Sequence, residues 1–189
     1  RTADGWVLTG ILHRVPWARH ARAVVLLASA SGCTHTVVVD TAGAFARGHN
    51  AAHEPRDAVR FEGTVIADAA VGPANAGYLV NDLTFDGALY RGAQMVGAME
   101  GVLQDTVRYA NERVQFGRPI GKFQAVQQQI AVLAGEVAVA SAAAHGAADA
   151  RSSGPARFEI ASAKIRIGEA AGKVAAIAHQ VHAAMGFTH

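Results

Sequence analysis

The segment from Tyr109 to Gln124 concentrates the side chains best suited to chemistry. It carries a cation, Arg113, beside the amides Asn111 and Gln115, the aromatic Phe116, Gly117 and a further amide, Gln124. A guanidinium can fork onto a phosphate, and carboxamides donate or accept hydrogen bonds. A phenyl ring offers a flat apolar face. Together they could grip a phosphate-bearing, partly aromatic ligand. The same residues could also form a helix-end cap with an aromatic plug in the core, and spacing alone leaves both readings open.

Other candidates carry less. Gly117-Arg118-Pro119-Ile120-Gly121-Lys122 falls short of a phosphate-loop spacing, has Phe123 where Ser or Thr is needed, and follows no strand. His179 and His182 share a helix face, but two imidazoles without a third ligand do not build a zinc site. Cys33 has no neighbouring motif that supplies a base and reads as an incidental or buried thiol. Glu100, Glu112, Glu136, Glu159 and Glu169 are scattered along helices and read as mostly solvated, with Glu100 at the edge of an apolar stripe.

The elements that must position these groups change character near residue 80. Before it, Trp6-Val7-Leu8, Val24 to Leu27, Val37 to Val39 and Phe61 to Ile66 read as short strands, punctuated by Asp4-Gly5, Ser31-Gly32 and Gly43. After it, Leu89, Val96, Leu103 and Ala110 recur every seven residues, with Ala93, Val107 and Val114 between them. That predicts one face of a long helix ending at Gly117 and Pro119. A second helix places Phe123, Val126, Ile130, Leu133, Val137 and Ala140 on one face, and Ser152 to Pro155 breaks it. A third aligns Ile160, Ala163, Ile167, Val174, Ile177 and Val181. Helices of about 25 to 35 residues would be roughly 35 to 50 Å long at about 1.5 Å per residue. Short loops make such neighbours antiparallel. The expected fold is therefore α+β by segregation: a small β-barrel-like domain over residues 1–79, then an antiparallel helical bundle over residues 80–189.

Composition closes off several classes. With 51% hydrophobic and 17% charged residues the chain can bury a core and does not read as disordered. A net charge of +2 points to no dedicated nucleic-acid surface. The Ala-rich stretch from Val137 to Ala150 is interrupted by Ser141, His145 and Asp149, so no membrane span is expected. A single cysteine excludes an internal disulfide and fits a cytoplasmic location.

The stretch YANERVQFGRPIGKFQAVQ strongly resembles the helix–loop–helix signature of the acyl-CoA dehydrogenases, flavoproteins that desaturate acyl-CoA thioesters. QQQIAVLAGEVAVASAAAHGAADA is similar to the family's next helix, and AKIRIGEAAGKVAAIAHQVHAAMGFTH to the one after it. DGWVLTGILHRVPWARHARAVVLLA resembles the middle β domain. The resemblance implies an incomplete family chain: part of the middle domain plus most of the C-terminal bundle, without the N-terminal helical domain. It further implies an FAD shared between the subunits of a homo- or hetero-tetramer, an acyl-CoA substrate and an electron-transfer flavoprotein as acceptor. By this likeness Arg113 reaches the FAD of a neighbouring subunit. Gln115, Phe116, Gln124 and Gln180 match adjoining cofactor contacts, as do positions 183 and 184. Val15, Pro16 and Trp17 would line the β-side edge of the flavin.

Three features depart from the family pattern. A glycine pair is replaced by Ala183 and Ala184, whose methyl groups would crowd a pyrophosphate. Pro16 stands where a hydroxyl-bearing residue is common, and it offers neither hydroxyl nor backbone N–H. Gly87, followed by Ala88, occupies the position where one branch of the family carries its catalytic glutamate, with Asp86 one residue out of register. The other branch keeps that glutamate beyond the position matching His189, so no residue here is assigned as the base. The expected activity is acyl-CoA dehydrogenation. The alternatives are a non-catalytic, FAD-sharing partner subunit and a purely structural helical module.

Overall fold

The computed structural model describes residues 5–41, 45–75 and 80–183, and the chain divides into two compact units, residues 1–82 and 83–189. In the first, strand β1 (Trp6–Pro16) pairs antiparallel with β5 (Arg56–Ile66), which also pairs with the short β4 (Phe45–Ala46). Strands β2 (Ala23–Ala30) and β3 (Cys33–Asp40) form a hairpin. Its turn, Ser31-Gly32, has both residues at positive φ, 50° and 78°, as a two-residue turn between twisted strands requires. Alternation sends Val24, Leu26, Val37, Val39, Val59, Phe61 and Ile66 inward to one apolar core between the sheets. The β1–β5 register slips twice, between Leu8 and Gly10 and between Leu12 and Val15. The second irregularity re-aims the end of β1 just before Pro16.

The second unit is a three-helix bundle of α1 (Val80–Glu112), α2 (Gln124–Ser153) and α3 (Arg157–His182). The contacts fix its directions. Asp86 near the start of α1 meets Arg151 at the end of α2, so these two run antiparallel. Tyr109 near the end of α1 stacks on His182 at the end of α3, so those run parallel. The core is Val96, Met99, Leu133, Val137, Ile160, Ile167 and Val174 with a run of alanines.

The buried stripes of α2 and α3 follow the expected spacing: Leu133, Val137, Ala140 on one and Ile160, Ala163, Ile167, Val174, Val181 on the other. On α1 the expected seven-residue stripe holds, with Val96 and Ala110 buried and Leu89 and Leu103 packed against the core, but the positions expected between them do not. Gly92, Val96, Met99, Thr106 and Ala110 are buried, while Ala93 and Val107 are exposed. Val114 lies outside the helix altogether, because α1 ends at Glu112 rather than at Gly117. The expectation of no bilayer-length segment is also corrected. By length and a mean hydropathy of 1.5, α2 is long and apolar enough to cross a membrane. That apolarity comes largely from Ala and Val, and its Leu133–Val137–Ala140–Ala144–Ala147 stripe belongs to the bundle core.

Candidate functional site

Between α1 and α2 the chain forms a miniature hairpin. Strand β6 (Val114–Gln115) pairs with β7 (Arg118–Pro119) across Phe116-Gly117. Both turn residues have positive φ, 52° for Phe116 and 79° for Gly117. Glycine takes that conformation freely, whereas a phenylalanine is strained there by about 1–2 kcal/mol. The strained residue is also 93% exposed. The reading of Phe116 as a core plug is therefore wrong: the tight turn aims its ring outward.

The loop is nonetheless well anchored. The backbone N–H of Arg113 donates to the Tyr109 carbonyl at 2.8 Å, and that of Ile120 donates to the Arg113 carbonyl at 2.8 Å. The Gln127 amide donates to the Gly121 carbonyl at 2.9 Å. A Cβ built on Gly121 would lie 3.1 Å from the Ala110 carbonyl oxygen. The second glycine of the phosphate-loop look-alike is thus explained by a close backbone approach to the end of α1.

On this frame the structure gathers Arg113, Gln115, Phe116 and Gln124, all exposed, on residues 113–124. Among the described residues Gln115 donates to its neighbouring Val114 carbonyl, at 2.6 Å. Among the described residues no carboxylate pairs with Arg113. Phe116 meets Phe123 edge-on, with ring centroids 6.1 Å apart, and the Arg118 guanidinium lies 4.3 Å over the Phe123 ring. Arg118 and Phe123 are the members of this platform that the sequence alone did not single out. Phe123 lies seven residues from Phe116, across a turn whose geometry spacing cannot convey, and five from Arg118. The first turn of α2 carries no acidic residue to offset its positive end, which follows Lys122 directly and lies near Arg118 through Phe123.

Gln180 and Ala183 lie at the end of α3, and both are exposed. The Tyr109–His182 stack, 4.3 Å between centroids, puts that end beside the end of α1. Ala183 has φ 51° and ψ −135°, a conformation that suits glycine. Ala184 lies outside the described residues. His182 serves as a packing partner of Tyr109, and no cluster of three metal-ligating side chains occurs among the described residues.

Other expectations resolve as follows. Asp86 is buried in a two-point ion pair with Arg151, at 2.6 and 3.1 Å, while Gly87 beside it is exposed. Glu100 is exposed, 3.5 Å from the Ser141 hydroxyl. Glu136 is not a solvated surface acid. Lys173, at 2.8 Å, and Arg166 hold it between α2 and α3 and keep its carboxyl below the usual range.

In the β unit, Pro16 ends β1 opposite Arg56, exposed and without a donor to give. Trp17, half-exposed at φ 56°, starts the 3₁₀ turn Ala18–His20. The fully buried carboxylate of Asp57 holds this turn through Arg19. A cavity of about 460 Å³ lies between the two sheets, lined mainly by apolar residues with His35 among them. The His35 ring shares a hydrogen bond with the Gly72 carbonyl at 2.9 Å.

Comparison with known proteins agrees with this arrangement. The sequence model of the family described as "Acyl-CoA dehydrogenase, C-terminal domain" matches residues 84–189. Acyl-CoA dehydrogenase IpdE2 of Mycobacterium tuberculosis is 40% identical over 101 residues, which are 53% of this chain and 30% of the relative. Acryloyl-CoA reductase (NADH) of Anaerotignum propionicum is 35% identical over 119 residues, 62% of this chain and 30% of the relative. The solved ChsE4–ChsE5 complex of Mycobacterium tuberculosis superposes with a TM-score of 0.81 at 27% identity, over all of this chain and 52% of that one. The chain thus spans about half the length of that structure and less than a third of these curated relatives. From the fold of its two units to the hairpin signature, this chain belongs to the acyl-CoA dehydrogenase family.

Proposed function

We propose that this chain is part of an FAD-dependent acyl-CoA dehydrogenase and contributes cofactor contacts from its α1–α2 hairpin. The observation that carries this is Phe116: a strained, outward ring beside the Arg113 guanidinium on a rigidly anchored turn. Strain of this kind persists where the surroundings impose it, and it clusters at binding sites.

The hairpin residues fit FAD. Arg113 would take a phosphate oxygen through its forked donors, Gln115 and Gln124 would donate to the pyrophosphate or ribose, and Phe116 would cover an aromatic face. The α2 N-terminus with Lys122 and Arg118 adds a positive field for the same anion. Gln180 at the end of α3 is a further amide donor. Ala183 and Pro16 fit less well, one bringing a methyl group and the other lacking an N–H. The chemistry that FAD supplies when bound is acceptance of a hydride from the acyl β-carbon as a carboxylate removes the α-proton. This chain's own residues bind and orient; none of those described is assigned as the base, and Gly87 has no side chain to act as one. An acyl-CoA substrate, an electron-transfer flavoprotein acceptor, a tetramer sharing FAD across subunits and a cytoplasmic location complete the reading.

A second reading is favoured by Gly87, Pro16 and Ala183 together: a partner subunit that lends Arg113 to a neighbour's FAD without turning over substrate itself. The similarity to the ChsE4–ChsE5 complex supports a hetero-oligomer of this kind. The test is FAD titration, followed by flavin fluorescence, of the full chain alone and co-expressed with a homologous subunit. Arg113→Ala should weaken FAD binding tenfold or more, since a charge-assisted hydrogen bond is worth about 1.5–3 kcal/mol. Absence of FAD uptake in both preparations would refute the cofactor assignment. Uptake and acyl-CoA turnover by the chain alone would refute the second reading.

A further inference from the structure

The end of β1 carries two strained backbone positions. Arg14 and Trp17, on either side of Val15-Pro16, both have positive φ, 57° and 56°. Neither is a glycine, so something must hold the chain there. Trp17 is tied by its backbone N–H to the Pro55 carbonyl at 3.2 Å, and its own carbonyl accepts from His20 and Ala21 at 2.9 and 3.0 Å.

The group beneath this turn is Asp57, with 0% of its surface exposed. Its carboxylate accepts from the Arg19 backbone N–H at 3.0 Å, and from Arg19 Nε at 3.1 and 3.0 Å to its two oxygens. It also pairs with Arg19 Nη2 and accepts from the Gly48 N–H at 3.2 Å. Arg19 Nη2 in turn donates to the Gly48 carbonyl at 2.8 Å. One buried carboxylate thus joins the turn after Pro16, strand β5 and the loop at Gly48. Gly48 is required there, since a Cβ would lie 2.5 Å from the Arg56 carbonyl oxygen. Hydrogen bonds from Arg19, aided by the Gly48 N–H, outweigh burial and hold the Asp57 carboxyl well below the usual range. The pair therefore stays charged near neutral pH.

We propose that Asp57, acting through Arg19, is a positioning residue that holds the Pro16–Trp17 turn in its left-handed geometry and so sets the edge this turn presents to FAD. The second half rests on the cofactor reading above; the first does not.

The test uses the full chain with Asp57→Asn and Arg19→Lys, each made alone and in a Trp17→Gly background. Glycine adopts φ 56° unaided. With Trp17 in place, loss of the lock lets the turn relax and recovers its strain, so the drop in denaturation midpoint caused by either substitution should be about 1.5-fold or more larger in the glycine background, where no strain is left to recover. Equal drops in both backgrounds would overturn the lock. In the FAD-loaded assembly, Asp57→Asn should raise the FAD dissociation constant tenfold or more and shift the flavin absorption bands. Arg19→Lys, which keeps the charge but loses the fork, should do so less. Should Asp57→Asn fail to fold, Arg19→Lys decides both arms. An unchanged dissociation constant and spectrum would overturn the role at the cofactor edge. If the wild-type chain binds no FAD in any assembly, the cofactor reading fails, while the midpoint comparison still decides the lock.

Discussion

Replacing Phe116 by glycine should separate binding from stability. The ring is 93% exposed, so little is lost from the core: complete burial of a phenyl group is worth about 1.5–3 kcal/mol, and the buried fraction here corresponds to about 0.2 kcal/mol. The edge contact with Phe123 at 6.1 Å adds about 0.5–1 kcal/mol, reduced by exposure. Against this, glycine relieves about 1–2 kcal/mol of left-handed strain and gives back about 0.5–1 kcal/mol in unfolded-chain entropy. The sum lies near zero. Ring stacking on a base, by contrast, is worth about 1–3 kcal/mol, or about 5- to 150-fold in affinity. Phe116→Gly should thus leave the thermal midpoint within about 2 °C of wild type and weaken FAD binding at least fivefold. Calorimetry and fluorescence titration on the same preparation measure both. A midpoint lowered by many degrees would show that the ring has a structural role, and unchanged FAD affinity would remove it from the site.

Three further outcomes follow from packing and charge. Gly121→Ala should cost about 1–2 kcal/mol, because its Cβ would press on the immobile Ala110 carbonyl at 3.1 Å; chemical denaturation reads this, and a neutral result would contradict the close approach. Ala170→Leu, at a site with 0% exposure, should cost about 1–3 kcal/mol or more by overpacking, seen as a lower denaturation midpoint. The Asp57 carboxyl has a folded pKa below its unfolded value of about 3.9, so its contribution is complete above that pH and is lost as pH falls towards the folded value. Stability measured from pH 5 downwards should therefore fall less steeply in Asp57→Asn than in wild type, and parallel profiles would contradict the assignment.

What could be read from the residues depended on whether type and period agreed. Leu133, Val137, Ile160 and Ile167 are apolar where the helical period buries them, so α2 and α3 were legible. On α1 the buried face includes Gly92, whose added Cβ would sit 3.1 Å from Ile167 Cδ1, and Thr106. Neither is a hydrophobic marker, so the positions read beside the seven-residue pattern were Ala93 and Val107, which are exposed. The hairpin was hidden for another reason: Phe116 carries a backbone geometry that the sequence usually signals with glycine or asparagine. The chemical residues from Arg113 to Gln124 were legible because they are contiguous. The Arg19–Asp57 pair was not, since 38 positions separate its members and neither sits in a motif.

Alanine dominates the seam between α2 and α3, with Ala140, Ala144, Ala147, Ala163 and Ala170 all buried. A methyl group has no rotamers to freeze, so this seam forms without the roughly 0.5–1 kcal/mol that each buried leucine forfeits in side-chain entropy. It also gains less contact in return. The two rods are therefore spaced by how near their backbones can come, which makes the pair stiff more than it makes it strong.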